Sequence, residues 1–309
     1  MSAVVCAFSD ARWDDTLAAV ASLTAQRPAP LEVIVVVDHN PGLCARLAEA
    51  LDVTVIENAG PQGLSGGKNT GIDVAQGDVV AFLDDDAIAA PGWLSALARP
   101  FDDPRVMGVG GLTLPAWATE RPAWWPEEFD WVVGCTFVGR EPGVVRNLLG
   151  GNAAFRRELF DLVGGFPTHI GRSSGDRRPL GCEETELCIR ASQRRPGGTF
   201  VFEPGAVIRH RVPRERERFT YFRARCFAEG LSKALVARSV GLQDGLSAER
   251  RYASVALRDA VVRGLGQGLT GDGNGARRAG AVLTGVMWAS AGFAVGSIRE
   301  TRRRTGAAR

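Results

Sequence analysis

Residues 78–94 read DVVAFLDDDAIAAPGWL, and the fold turns on this stretch. Asp78 to Leu83 is a short, nearly unbroken apolar run of the kind a strand carries when both its faces are buried. It runs straight into Asp84, Asp85 and Asp86. Pro91-Gly92 then interrupts the chain, and Trp93-Leu94 opens a helix. In extended backbone Asp84 and Asp86 project to one side and Asp85 to the other. Three adjacent carboxylates at a buried strand end repel one another unless a cation or a donor-rich ligand sits among them. Two that converge offer hard oxygens suited to Mg2+ or Mn2+. Taken alone, the stretch also fits a solvated acidic turn.

Upstream, residues 3–8, 31–37 and 53–56 have strand character, and 16–25, 43–51 and 66–76 have helical character. This alternation predicts a parallel sheet with helices on both faces. Ligands in such sheets bind beyond the carboxyl ends of the strands. Asp38 ends the LEVIVVV strand as Asp84–Asp86 end the later one, and two acidic strand ends on one rim favour a site over a solvated turn. Residues 63–69, GLSGGKN, are not a P-loop, because Gln62 stands where its first Gly belongs and Asn69 where it needs Ser or Thr. The first strand leads into no GxGxxG, which argues against a dinucleotide fold. The loop either offers N–H groups and Lys68 to an anion or is a plain Gly-rich turn.

Downstream the simple alternation is lost. Val106–Leu114 and Trp131–Val138 read as strands of a mixed half-sheet. Between and beside them a Pro-interrupted loop carries Trp117, Trp124, Trp125 and Trp131. Such a surface binds sugars, lipid chains or proteins, or else packs as a satellite core. The glycines of Gly150-Gly151-Asn152 permit close approach of backbone to a ligand. A polar segment at 171–179 reads as mobile, and after it Glu183, Glu184 and Glu186 fill the first turn of a helix. Dipole complementation alone also accounts for that acidic turn.

The chain has 309 residues, 45% of them hydrophobic and 23% charged, with net charge +2. It is long enough to bury a full core, and its balance gives no case for nucleic acid. Six scattered cysteines without a CxxC pair read as reduced thiols. The N-terminus begins as a core strand, not as a signal peptide, so a cytoplasmic location is expected. Residues 209–218, RHRVPRERER, are basic and suit phosphate oxygens or a salt-bridged helical face. Residues 249–265 have a helical pattern, and 271–275 read as a flexible loop. Residues 279–298 are uncharged and flanked by arginines, about the minimum length for a span. Gly292 and Gly296 fit a small-residue packing face. The helix reads as lying on a membrane surface, spanning the membrane, or packing in a soluble core.

Five ordered blocks resemble glycosyltransferase family 2: the first strand, VVVD at 35–38, GGKNTGID at 66–73, FLDDDAIAAPGWL at 82–94, and GGNAAFRRELFDLVGGF followed by GCEETELCIRA. The resemblance covers residues 3–212. It implies a GT-A fold, a Rossmann-like mixed sheet flanked by helices. The glycosyltransferase domain then spans 1–220, with a helical C-terminal extension over 221–309. It further implies that Asp38 holds the nucleotide base, Asp85 the ribose and Asp86 the metal, with Asp84 completing the cluster. Lys68 stands where the family usually has Arg, at a donor phosphate. Gly151 and Asn152 border the acceptor pocket, with Trp124 and Trp125 as further acceptor contacts. Glu184 stands where the catalytic base is commonly Asp, preceded by Glu183, and His210 resembles a late histidine near the metal. The expected reaction is inverting, metal-dependent (Mg2+ or Mn2+) transfer from a UDP- or GDP-sugar to a hydroxyl or phosphate acceptor. A glycan or a polyprenyl or dolichyl phosphate lipid is the expected acceptor, at the inner face of the plasma membrane. Two rival readings are a non-catalytic nucleotide-sugar-binding or scaffold subunit and a nucleotidyltransferase.

Overall fold

A computed structural model of the chain describes residues 1–171, 180–245, 257–269 and 273–307. The elements in order are β1 Ser2–Ala7, α1 Trp13–Thr24, β2 Glu32–Val37, α2 Pro41–Ala50, β3 Thr54–Glu57, α3 Leu64–Val74, β4 Val79–Asp84, β5 Ala87–Ala89, α4 Trp93–Ala98 and β6 Val106–Trp117. They continue with β7 Gly143–Val145, β8 Asn152–Arg156, α5 Arg157–Val163, α6 Glu183–Arg194, β9 Thr199–Val212, α7 Phe219–Val240, α8 Leu242–Gly245, α9 Arg258–Leu269 and α10 Gly273–Ala307. Nine strands form one sheet in the order β3-β2-β1-β4-β8-β6-β9-β5, with β7 added on β9. The first half is parallel, β1 pairing with both β2 and β4 and β2 with β3. Beyond β4 the pairings β4–β8, β8–β6 and β9–β5 are antiparallel. A parallel half followed by a mixed half is expected from the sequence and observed, with β6 the one strand of the mixed half that falls where the sequence places it.

The chain divides into two compact units, Met1–Ala116 with Glu141–Arg177 and Glu183–Arg211, and Trp117–Arg140 with Arg178–Cys182 and Val212–Arg309. In the first unit the period-2 alternation of the strands sorts the core into two layers. Val5, Val35, Val37 and Leu83 face α1, α2 and α4 through Leu23, Leu47 and Trp93. Val4, Ile34, Val36 and Phe82 face Ile72, Phe160 and Leu187 on the other side. Helix α3 lies close on the sheet because Gly71 has no side chain: a Cβ there would sit 2.6 Å from a methyl of Val4. The run of glycines at 66–71 is thus partly a packing device.

The second unit is built on an aromatic core. Trp125, Phe129, Val132, Val133, Phe222, Cys226 and Val282 are buried together, with Trp117, Trp124, Trp131 and Trp288 packed against them. Trp117 and Trp124 lie 5.1 and 5.3 Å from Trp125, and Phe222 lies 5.3 Å from it, mostly edge to face. The strand expected at Trp131–Val138 is absent. Residues Glu127–Val133 form a 3-10 turn that delivers Phe129, Val132 and Val133 to this core in succession, ended by Gly134 in left-handed backbone. The loop expected at 271–275 is also corrected: Gly273, Asn274 and Gly275 already belong to α10, and 271–272 lie outside the described residues. Of the two polar or helical stretches expected at 171–179 and 249–265, residues 172–179 and 249–256 lie outside them too.

Helices α7 and α10 pack backbone to backbone. A Cβ on Gly230 would meet the carbonyl of Ala289 at 2.0 Å, and one on Gly292 would meet that of Phe227 at 2.0 Å. The small-residue face of α10 is therefore occupied within the chain. Gly292→Leu is expected to destabilise the protein by about 1–3 kcal/mol through overpacking. Gly280 on the same helix has open space around it, so Gly280→Ala should stabilise by about 0.5–1 kcal/mol. Denaturant titration of both variants reads the two opposite signs.

Candidate active site

The site lies in the first unit, at the carboxyl ends of β2 and β4. Because β1 pairs in register with both, Ala7 stands opposite Val37 and Cys6 opposite Asp84, which brings Asp38 and Asp84 to one rim. The Asp38 carboxylate accepts from Asn58 Nδ2 at 2.7 Å and from the Gly63 N–H at 3.0 Å, and His39 Nδ1 lies 3.0 Å away. Asn58 itself holds Thr70 and the Pro61 carbonyl, so Asp38 is fixed by the loop that opens α3.

At the end of β4 the chain leaves the strand after Asp84, and Asp85 and Asp86 form the turn into β5, so the alternation expected of extended backbone does not set their directions. Asp84 Oδ2 and Asp86 Oδ1 face His210 Nε2 at 3.8 and 3.1 Å. Asp84, Asp86 and His210 each present a ligand atom within 4.8 Å of the others. His210 reaches them because β9 pairs antiparallel with β5, setting His210 opposite Ala87. Its buried Nδ1 has no partner among the described residues. Two carboxylates and an imidazole form a donor set that fits Mn2+ or Mg2+.

Arg12 follows the first strand and was not foreseen. It binds Asp85 through Nη1 and Asp86 Oδ2 through Nη2 at 2.9 Å. Both acids are nearly inaccessible. Burial pushes the Asp85 carboxyl up to about 7, against the pull of Arg12. The signal was present: three adjacent acids at a buried strand end call for a cation, and an arginine stands five residues beyond β1.

The second acidic group opens α6. Glu183 is buried and Glu184 partly so, and both face Lys68 of α3: Nζ lies 3.2 Å from Glu184 Oε1 and 3.9 Å from Glu183 Oε1. Between this group and the β4 cluster run Gly150 and Gly151. A Cβ on Gly150 would lie 1.8 Å from Glu184 Oε1, and one on Gly151 would lie 2.0 Å from Asp84 Oδ2. Two bare backbone residues thus separate the candidate base from the candidate metal ligand.

The remaining expected residues are placed as follows. Asn152 is fully buried; its amide oxygen accepts from Trp93 Nε1 at 2.8 Å, and its amide nitrogen donates to the Ala206 carbonyl at 3.1 Å. Its side chain therefore joins α4, β8 and β9 and is closed to an acceptor. Trp125, 1% exposed, and Trp124 belong to the aromatic core of the second unit. Lys68 is 2% exposed and faces the α6 acids.

Comparison with known proteins bears on the family and the fold. The profile of Glycosyl transferase family 2 matches residues 2–164. Glucosyl-dolichyl phosphate glucuronosyltransferase of Haloferax volcanii is 34% identical over 243 residues, 76% of this chain and 77% of the relative. Succinoglycan biosynthesis protein ExoM of Rhizobium meliloti is 26% identical over 237 residues, 73% and 71% of the two chains. Among solved structures, mannosyltransferase PcManGT of Pyrobaculum calidifontis, in complex with GDP-Man and Mn2+, has a TM-score of 0.57 at 18% identity, covering 93% of this chain and 85% of that one. GalNAc-T7 with UDP, GalNAc and Mn2+ has a TM-score of 0.53 at 19% identity, covering 82% and 54%. These two likenesses establish the GT-A fold.

Arg12→Met leaves Asp85 and Asp86 buried without their counter-ion and should cost about 3–5 kcal/mol of stability. Millimolar Mn2+ should restore much of that loss, and Asp86→Ala on the same background should abolish the recovery. Thermal melts with and without Mn2+ measure both effects. A variant as stable as the parent in EDTA would remove Arg12 from this account.

Proposed function

The chain belongs to glycosyl transferase family 2, and on that premise we propose an inverting transfer of a sugar from a nucleotide donor to a hydroxyl of a lipid-linked glycan. The observation that carries the reading is the pairing of two acidic groups across Gly150-Gly151: Asp84, Asp86 and His210 on one side, Glu184 on the other.

A divalent cation held by Asp84, Asp86 and His210 would neutralise the diphosphate leaving group as a Lewis acid. Asp38 binds the nucleoside, as the family resemblance implies; Asp85, given the ribose by the same resemblance, is buried against Arg12 and positions the cluster from behind. Glu184 takes the proton of the acceptor hydroxyl. The acceptor oxygen forms its bond to the anomeric carbon while the bond from that carbon to the diphosphate oxygen breaks. The nucleoside diphosphate leaves, the proton rests on Glu184, and the anomeric configuration inverts. Mn2+ and Mg2+ both suit the donor set, and the Mn2+ bound in the two structural neighbours favours Mn2+.

The acidic environment also bears on the acceptor. A phosphate acceptor is already ionised at neutral pH, needs no base, and is repelled by Glu183 and Glu184. A sugar hydroxyl has a high pKa and needs one. The name of the H. volcanii relative pairs a glucosyl-dolichyl phosphate with a glucuronosyl group. A hexosyl polyprenyl or dolichyl phosphate therefore supports the reading as acceptor, and UDP-glucuronic acid heads the donor panel.

A lipid-linked acceptor calls for a membrane surface. Helix α10 has a mean hydropathy of 1.6 over an 18-residue window within Gly273–Ile298, with only 22% of that window buried. Leu283, Met287 and Ile298 are exposed on it, as are Val262, Leu265 and Leu269 on α9. We infer that this face lies in the lipid interface on the cytoplasmic side.

Purified protein should release nucleoside diphosphate from one member of a UDP- and GDP-sugar panel, with glucosyl polyprenyl phosphate as acceptor and Mn2+ present. EDTA, Asp86→Ala and Glu184→Gln should each lower the rate at least 100-fold. Full activity of Glu184→Gln would sink the proposed base, and tight donor binding without turnover would favour a binding subunit. The double variant Leu283→Glu/Met287→Glu should no longer float with anionic phospholipid vesicles, while its rate on a detergent-dispersed acceptor stays within about threefold.

A further inference from the structure

We propose that Lys68 is a positioning residue for the base, holding Glu184 by one carboxylate oxygen, and that it does not bind donor phosphate. The inference rests on the assignment of Glu184 as base. Lys68 lies in α3, and its ammonium is walled by the rings of Phe166 and Phe82, 4.9 and 5.9 Å from their centroids. With 2% of the residue exposed, a diphosphate arriving from solvent finds no path to Nζ. The near acceptors are Glu184 Oε1 at 3.2 Å and Glu183 Oε1 at 3.9 Å.

The geometry singles out one oxygen of the base. Glu184 Oε1 is boxed between Lys68 Nζ and the Cα of Gly150, where an added Cβ would sit 1.8 Å from it. Oε2 makes no hydrogen bond among the described residues and is the oxygen left to accept a proton. Glutamate carries one more rotatable bond than aspartate, and a fixed Oε1 removes that freedom. A base must sit within hydrogen-bond reach of the proton it takes, so the tether supplies what the longer side chain lacks.

The same contact governs charge. The groups that act on Lys68 are Glu184 and Glu183 from α6, Asp84 from β4 and Cys6 from β1. Burial works against the ammonium, and Glu184 and then Glu183 outweigh it, so Lys68 stays charged. Lys68 thus places a positive charge beside two adjacent like charges that would otherwise repel each other at close range.

The test separates the two roles of the lysine. Affinity for UDP and for GDP with Mn2+ is measured by calorimetry, and turnover by the release assay. Lys68→Met should leave nucleotide affinity within threefold and lower kcat at least 100-fold, with the acidic limb of the kcat profile moved to higher pH. Lys68→Arg should recover turnover to within tenfold of the parent. A tenfold or greater loss of nucleotide affinity in Lys68→Met would overturn the proposal, as would unchanged kcat and pH profile. Should Lys68→Met not fold, Lys68→Met/Glu184→Gln removes both charges, and its nucleotide affinity is read against Glu184→Gln alone: equality supports the proposal, tenfold weakening refutes it. Unchanged turnover in Glu184→Gln marks failure of the base assignment itself. Loss there with no effect of Lys68→Met marks failure of the positioning role only.

Discussion

Crowding of like charge in a dry place is the constraint on which the first unit depends. Asp84, Asp85 and Asp86 at the end of β4, and Glu183 and Glu184 at the start of α6, bring five carboxylates to one rim of the sheet. Desolvation makes each of them costly unless a cation stands beside it. Arg12 answers for Asp85 and Asp86, and Lys68 for Glu183 and Glu184. The chain thus carries a partial set of counter-ions of its own. One oxygen each of Asp84 and Asp86, with the imidazole of His210, remains turned toward a common point.

The sheet makes this crowding possible by keeping every charge at a strand or helix end. Two apolar layers, one on each face, fix the strands, and the side chains that leave the register at its rim become the site. Asn152 shows how firmly the rim is tied down. One buried amide ties together an indole of α4 and a carbonyl of β9 from its own place in β8. The glycine pair just before it can therefore separate the two acidic groups without a side chain of its own.

Much of this could be read in the amino-acid order. The parallel half was legible because VVVD and FLDDD announce buried strands with acidic ends, and the period of the apolar residues distinguishes strands from helices. The cluster Asp84–Asp86 and the late His210 were legible as chemistry. Partners distant in sequence were not. Lys68 follows two glycines and reads as an anion loop, yet its counter-ion lies on a helix more than a hundred residues later. Trp131–Val138 has the composition of a strand, but apolar residues in succession also suit a tight turn wrapped on an aromatic core. Trp124 and Trp125 likewise carry no mark that distinguishes a core ring from a sugar-stacking one. The glycines of α10 read correctly as a packing face, while the partner, α7 of the same chain, was invisible to composition.

The span between Lys68 and Glu184, 116 residues, has a consequence for how the protein is born. At about 5–20 residues per second, a ribosome releases Lys68 roughly 6 to 23 seconds before its carboxylate exists. Strands β1 to β4 and their helices are by then outside the tunnel, able to pair among themselves with Arg12 already beside Asp85 and Asp86. Lys68 must wait, hydrated or held by a chaperone, until α6 emerges and brings Glu183 and Glu184 to it. Vectorial synthesis thus gives the nascent chain a half-sheet early and the buried Lys68–Glu184 pair late.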